Sequence, residues 1–394
     1  CMLPFNVPHL PFQAPDHLYE KYRDRGCHEA LAAVYAMNES ADHAIGRVLA
    51  HLDELALADD TIVVFMSDHG PNTPRYNAGL RGIKGCLHEG GVRVPFFVRW
   101  PNRIPAESHL ATPAAHIDIV PTLLGLAGLS APETVALDGL DLTNTLSSGG
   151  KTPVPERLLF GFFANTGTVR TPTHRMLLPN EGRAELYDLA NDPGETMNLL
   201  SGQGQNPADL NLAQELRAAY EAWAQDVGAG KTDRPAIPIG HDEAPIVNVR
   251  SLDVDSTTGS FRGMRGWGSQ NWQTNWTDPE STLIWRLHCV EAATYQFKLI
   301  HTCAPGDEGA TLQLEIGEQH LTAELSESFV PELTDLPDRV LPRAGPPEQT
   351  WGTLKLGSLS LPAGETRMTL RALSMPGQAV ADVWAIRVTK TTTL

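Results

Sequence analysis

Three short segments carry side chains whose types and spacing could do chemistry. Ser67-Asp68-His69-Gly70-Pro71 sets a carboxylate beside an imidazole. Such a pair can hold a divalent cation, although an Asp capping a loop beside a turn glycine would look the same. Asn77-Ala78-Gly79-Leu80-Arg81-Gly82-Ile83-Lys84-Gly85 is followed by Glu89-Gly90-Gly91-Val92-Arg93. Its glycines would let backbone approach an anion, and Lys84 offers a compact point charge, though a surface loop can share that composition. In Asn6-Val7-Pro8-His9-Leu10-Pro11-Phe12, prolines flank His9 and should hold it extended. A histidine so fixed could donate to an oxyanion or protonate a leaving group near neutral pH.

Charge narrows the partners. The 394 residues carry a formal charge of -17, which argues against nucleic acid, whose phosphates need clustered Lys and Arg. Yet Arg75, Arg81, Lys84, Arg93, Arg99 and Arg103 share their stretch with only one acid, Glu89. A cationic island in an acidic protein could focus a small anionic substrate, or be a solvated loop. No apolar run is long enough to span a membrane. Cys1, Cys27, Cys86, Cys289 and Cys303 are too few and scattered for a disulfide framework or zinc knuckle. Cys289 and Cys303 fall in what read as paired strands, but out of register, so thiols are expected. Cys1-Met2-Leu3-Pro4-Phe5 reads as a strand already under way, with no initiator Met and no signal segment, so an upstream segment is expected to be missing.

The elements that must position these motifs follow from periodicity. Apolar residues at three- and four-residue steps predict a helix over 29–57. Thr61-Ile62-Val63-Val64-Phe65-Met66 then reads as a strand buried on both faces, as in a parallel sheet. Another strand is expected over 92–100. A helix is expected over 118–126, with Asp118 as N-cap and Pro121 in its first turn, and a last one over 207–227. Residues 228–245, rich in Gly and Pro, read as a linker. Beyond them, alternating runs at 283–289, 294–302, 311–316, 353–361, 366–373 and 380–389 predict a β-sandwich.

In this order and spacing the motifs resemble the sulfatase family of the alkaline-phosphatase-like superfamily. The resemblance covers roughly the first 200 to 225 residues. It runs through N-V-P-H-L-P-F at 6–12, I-G-R-V-L at 45–49, F-M-S-D-H-G-P at 65–71 and G-L-R-G-I-K-G at 79–85. E-G-G-V-R-V-P-F at 89–96, H-I-D-I-V-P-T-L-L at 116–124 and E-L-Y-D-L-A-N-D-P-G-E-T-M-N-L at 185–199 continue it. It implies an α/β fold: an incomplete sulfatase domain over 1–227, its N-terminal part missing, then the linker and an all-β sandwich over 246–394. That last module resembles galactose-binding-like sandwiches, through Asn271 to Pro279 and two shorter stretches. Trp267, Trp272 and Trp276 could stack on sugar rings, or serve as core.

The resemblance also implies roles. Asp68 and His69 match a pair that helps bind one divalent cation, usually calcium; many relatives have Asn where this chain has His69. Lys84 matches a lysine on the sulfate oxygens, and His9 a histidine at the sulfate or leaving-group oxygen. Arg75 and Arg81 lie where recognition of the organic group varies. Glu89, Arg93, Asp118, His88 and His116 read as structural. The implied reaction is hydrolysis of a sulfate ester, on a sulfated glycan or an aryl sulfate, by a formylglycine nucleophile made within Cys/Ser-x-Pro-x-Arg. The sequence contains no such motif. The nucleophile and the early Asp-Asp metal pair are therefore expected upstream, and this chain alone is expected to be inactive. A phosphate or phosphonate esterase, or a sulfatase-like glycan-binding protein without activity, remain as alternatives. By family, the compartment is periplasmic or secreted.

Overall fold

The computed structural model describes residues 1–73, 76–202, 205–230, 235–263, 271–332, 339–341 and 349–391. Arg75 and Trp267 lie outside the described residues. Two compact units are formed, Cys1–Arg47 with Asp233–Leu394, and Val48–Thr232. The division falls inside the helix Glu29–Glu54, so the stretch expected as one domain over 1–227 is shared between them.

In the unit Val48–Thr232, the strand Val63–Met66 pairs antiparallel with Phe96–Arg99, with Val63 opposite Arg99 and Met66 opposite Phe96. This corrects the expected parallel strand buried on both faces. Among the described residues no third strand joins the pair, so Phe65 and Met66 stay exposed and Phe97 is 64% exposed. The strand expected from residue 92 starts only at Phe96, because Glu89–Val92 forms a helical turn in which Arg93 N–H donates to the Glu89 carbonyl.

A four-stranded antiparallel meander, Leu159–Phe163, Thr166–Arg170, His174–Pro179 and Glu185–Asp188, was not anticipated. Its inner residues Val169, Met176, Leu178 and Leu186 pack against Ala213 and Leu216 of the helix Pro207–Val227. That helix begins where expected, with the Asn206 side chain accepting from Ala208 N–H and Pro207 opening the first turn. Gly228 ends it in the left-handed conformation.

The helix Ile119–Leu126 also forms, after a short turn at His116–Asp118. Asp118 is not its side-chain cap. The buried carboxylate instead accepts from Ala115 N–H at 2.7 Å and Leu140 N–H at 2.9 Å and meets the Arg157 guanidinium, tying the helix entry to residues 138–142.

In the other unit, Cys1–Phe5 is irregular and Met2 is 85% exposed. With no partner among the described residues, the expected strand there is absent. The first ladder is Gln13–Ala14 with Arg339–Val340. The helices Asp16–Arg23 and Glu29–Glu54 bury Leu18, Tyr19, Ala32, Ala33, Ala36 and Met37 together with Ala14.

The sandwich is present, with all six expected strands shifted by at most two residues at their ends. One sheet orders Ser256–Thr257, Thr282–Cys289, Gly364–Ser374, Ala310–Ile316 and Gln319–Leu325. The other orders Arg262–Gly263, Gln273–Thr274, Asp382–Thr391, Ala293–Thr302 and Gly352–Leu361, with Ile246–Arg250 also on Asp382–Thr391. Part of the expected linker is structural: Ile237–Ile239 adds a parallel strand to Thr282–Cys289 and buries Ile239. Pro238, without an N–H, is compatible with that edge position.

Cys289 and Cys303 are thiols as expected, but Cys289 ends the strand Thr282–Cys289 whereas Cys303 lies just past Ala293–Thr302 in the other sheet, bridging to Phe329, so the two are not on paired strands. Trp276 has no exposed surface and Trp272 very little, so both are core residues and neither can stack on a sugar.

Candidate anion-handling site

The strand Val63–Met66 delivers Asp68 to the loop just beyond its carboxyl end. The Asp68 side chain is 80% exposed. Its Oδ1 accepts from His69 N–H at 2.9 Å, and its Oδ2 lies 3.1 Å from His69 Nε2. The other ring nitrogen of His69 is 2.9 Å from the Gly70 carbonyl.

Backbone bonds lace this loop to the glycine-rich one. Lys84 N–H donates to the Pro71 carbonyl at 2.8 Å, and Gly70 N–H to the Gly91 carbonyl at 2.9 Å. Gly90 N–H reaches the Arg81 carbonyl at 2.8 Å, and Asn77 Nδ2 clips the carbonyls of Leu80 and Gly82. The glycines are what this closeness demands. A Cβ on Gly70 would sit 2.0 Å from the Gly90 oxygen, and one on Gly90 2.4 Å from the Gly82 oxygen. Asp68, His69 and Lys84 are thereby carried on one interlaced loop pair.

Beneath it lies a buried charge network. Glu89 Oε1 accepts from Arg170 Nε at 3.0 Å and from the Arg175 guanidinium. Burial would raise the Glu89 pKa, but Arg175 and Arg170 outweigh it and hold the carboxyl below its ordinary range. Glu195, with no exposed surface, accepts Glu89 N–H on Oε2 at 2.7 Å. Its Oε1 lies 3.3 Å from His88 Nδ1 and 3.6 Å from Arg175 Nε, without hydrogen-bond geometry to either.

Arg81 is held from the same side. Its Nη1 donates to Tyr187 Oη at 2.5 Å and to the Glu195 carbonyl at 3.1 Å, while 43% of the side chain stays exposed. Burial and the neighbouring Glu185 carboxylate, which accepts from the Tyr187 hydroxyl, push that phenol up to about 12.

The structure thus places Asp68, His69, Lys84 and Arg81 in one region, and Glu89 and His88 in its support. Arg93, on the same helical turn, lies 3.9 Å from Glu89, and His116 is exposed. His9 belongs to the other unit. Its segment is a tight turn, with His9 N–H donating to the Asn6 carbonyl at 2.7 Å; the expected extended run is absent. Glu195, Arg175, Arg170, Tyr187 and Glu185 had no assigned role in the sequence. Three of them lie in the 185–199 segment, whose only signal was its resemblance to a family motif.

A strand-end carboxylate interlaced with a cationic glycine loop is an arrangement suited to holding an anionic group. Residues 1–129 match the sulfatase family model, and residues 83–222 match that of the N-sulphoglucosamine sulphohydrolase C-terminal region. Together the two matches run over residues 1–222, and that stretch is similar to sulfatase-family sequence.

Arylsulfatase A of Homo sapiens is 34% identical over 213 residues, 45% of this chain and 41% of that protein. A sulfatase of Formosa agariphila is 31% identical over 252 residues, 56% of this chain and 45% of that protein. The chain therefore spans less than half the length of either relative. The crystal structure of Ps i-CgsB in complex with k-i-k-neocarrahexaose superposes with a TM-score of 0.49 at 25% identity, covering 56% of this chain and 48% of that one.

A divalent cation fits only in part. Asp68 and His69 give two adjacent donors, whereas calcium takes about six to eight oxygens. Among the described residues no third His, Cys, Asp or Glu completes a set with them. These residues alone do not make a cation site.

Proposed function

We propose that this chain carries the sulfate-binding part of a sulfuric-ester hydrolase acting on a sulfated carbohydrate. The lacing of the Lys84 loop onto the Asp68 loop, within sequence that matches the sulfatase model, supports this most directly. Lys84 would neutralise the sulfate oxygens, a stabilisation that strengthens as charge builds on them. Arg81, fixed by Tyr187 and Glu195 yet partly exposed, would orient the organic group, and Arg75 is proposed to assist it. His9 is proposed at the leaving-group oxygen. Asp68 and His69 would contribute part of a cation's ligand set, calcium by the family's habit, the rest coming from outside the described residues. Bound there, the cation would supply further positive charge against the sulfate.

Cys/Ser-x-Pro-x-Arg occurs nowhere in the 394 residues. A formylglycine nucleophile would have to come from residues outside this sequence, and these residues alone should bind sulfate without releasing it from an ester. A second reading is a sulfatase-like glycan-binding protein without turnover. A periplasmic or secreted setting belongs to the same proposal; among the described residues no helix is long and apolar enough to cross a membrane.

Calorimetry with inorganic sulfate, on the chain and on its Lys84→Met variant, tests the proposal. Binding that is lost in the variant supports it. No binding by the unmodified chain, or equal binding by both, would sink it. A sulfate-release assay on sulfated and aryl substrates then separates hydrolase from binding protein.

A further inference from the structure

On one face of the sandwich, positive charges are stacked in register. In the sheet containing Ala293–Thr302, residues Tyr295, Phe297 and Leu299 point into the core, so Thr294, Gln296, Lys298 and Ile300 face the opposite side. Strand pairing places Lys298 directly opposite Lys355 on one neighbour and Arg387 on the other. Arg387 is in turn opposite Asn248 and donates to its side-chain oxygen at 2.9 Å. Three cations thus lie in one row across three adjacent strands, about 5 Å apart strand to strand.

The rows on either side hold no acid. One comprises Ser358, Gln296, Thr389 and Ile246, the other Thr353, Ile300, Ala385 and Arg250. Among the described residues none of Lys298, Lys355 and Arg387 forms an ion pair; the cations that do include Arg286, Arg371 and Lys390. Like charges directly opposite each other on a sheet destabilise it. In a protein of net charge -17 such a row has no use in general solubility, where acids already dominate. A bound polyanion would offset the repulsion.

Two features select the kind of polyanion. Trp384 and Trp351, both half-buried with ring centroids 6.2 Å apart, adjoin the row that contains Ala385 and Arg250, with the Arg250 guanidinium 4.2 Å over the Trp384 ring. Aromatic surface beside spaced cations suits a ring with one apolar face and anionic substituents. The acidic remainder of the molecule would repel a long uniform polyanion such as nucleic acid, or an anionic membrane, more than a short oligosaccharide.

We propose that the row Lys355, Lys298 and Arg387 is a binding site for polysulfated oligosaccharide, separate from the Lys84 region. The choice of sulfated sugar rests on the function proposed above. The site itself rests on the register of the sheet.

The test uses the full chain and the triple variant Lys298→Gln, Lys355→Gln, Arg387→Gln. Calorimetry is run with a carrageenan hexasaccharide, its desulfated counterpart, and a single-stranded DNA oligonucleotide of matched charge. The sulfated sugar should bind about tenfold more weakly to the variant and with a smaller dependence on salt. The desulfated sugar should not bind detectably. The variant's Tm should be unchanged or higher, since repulsion has been removed, which separates lost binding from lost fold. Equal affinity for variant and unmodified chain would overturn the site, and equally tight binding of the DNA would overturn the choice of sugar. Lys84→Met is measured alongside. If it abolishes inorganic sulfate binding while the triple variant still binds the sugar fully, the row is refuted and the Lys84 reading survives. If only the triple variant loses sugar, the row stands whatever the fate of Lys84.

Discussion

The Glu195 carboxylate accepts the backbone N–H of Glu89 at 2.7 Å across 106 residues of chain. One buried acid thereby caps the helical turn that opens with another, and Arg175 lies against both. Two buried carboxylates are tolerated so close only because Arg175 and Arg170 compensate them. The loops carrying Asp68 and Lys84 are supported by this network.

Glu89→Gln would leave Arg175 and Arg170 buried against a neutral amide. A loss of about 3 kcal/mol is expected in denaturant titrations at pH 7. The sign with pH follows from the depressed carboxyl. Its stabilisation is complete above the unfolded value of about 4.3 and disappears as pH falls through the lower folded value. Unmodified and variant proteins should therefore converge in Tm as the pH drops below about 4. A gap that stays constant down to acid would contradict the role given to Glu89.

Two glycines of the loop pair should respond differently to the same change. In Gly70→Ala the new methyl would strike the Gly90 carbonyl, and a loss of about 3 kcal/mol or more is expected. Gly79→Ala meets no atom and faces only its positive φ of 74°, so about 1 kcal/mol should suffice. Equal losses would mean that the close approach at Gly70 is not the limiting feature.

Asp118→Asn should also be costly, at about 3 kcal/mol, because Arg157 loses its partner. Arg157→Met, which leaves the carboxylate its two backbone donors, should cost less than the Asp118 change. Chemical denaturation of both variants gives the order, and a larger loss for Arg157→Met would reverse the argument.

Burial pushes the Cys303 thiol up to about 11, and the neighbouring Glu308 and Asp307 add to the effect; Cys289 is raised by burial alone. At pH 8 a thiol reagent should leave both untouched in the folded protein and find all five cysteines in denaturant. Fewer than five after unfolding would reveal a disulfide.

Sequence periodicity located the helix Pro207–Val227 and the sandwich strands closely, because both bury a regular stripe and end on Asn, Pro or Gly signals. It failed at Thr61 to Met66. A continuous apolar run is the same whether its neighbours cover it or, as here, a single antiparallel partner leaves Phe65 in the open. The meander over 159–188 was missed because its strands are short and mix buried with partly buried positions. Within the site, Asp68 and Lys84 could be marked from residue type and motif. Glu195, Arg175 and Tyr187 could not, since their roles depend on contacts to residues 86 to 106 positions away. The tryptophans show the same limit: Trp276 reads as a candidate sugar platform in sequence and proves to be core.

The interlock of Gly70 with Gly90 and Gly91 bears on how this region can change over evolutionary time. Two loops that touch through bare backbone share one mould. A substitution in either is judged by the other's carbonyls before any ligand is met. New specificity should therefore accumulate at outward positions such as Arg81 while the glycines stay fixed, and a loop transplanted from a relative should work only when its companion travels with it.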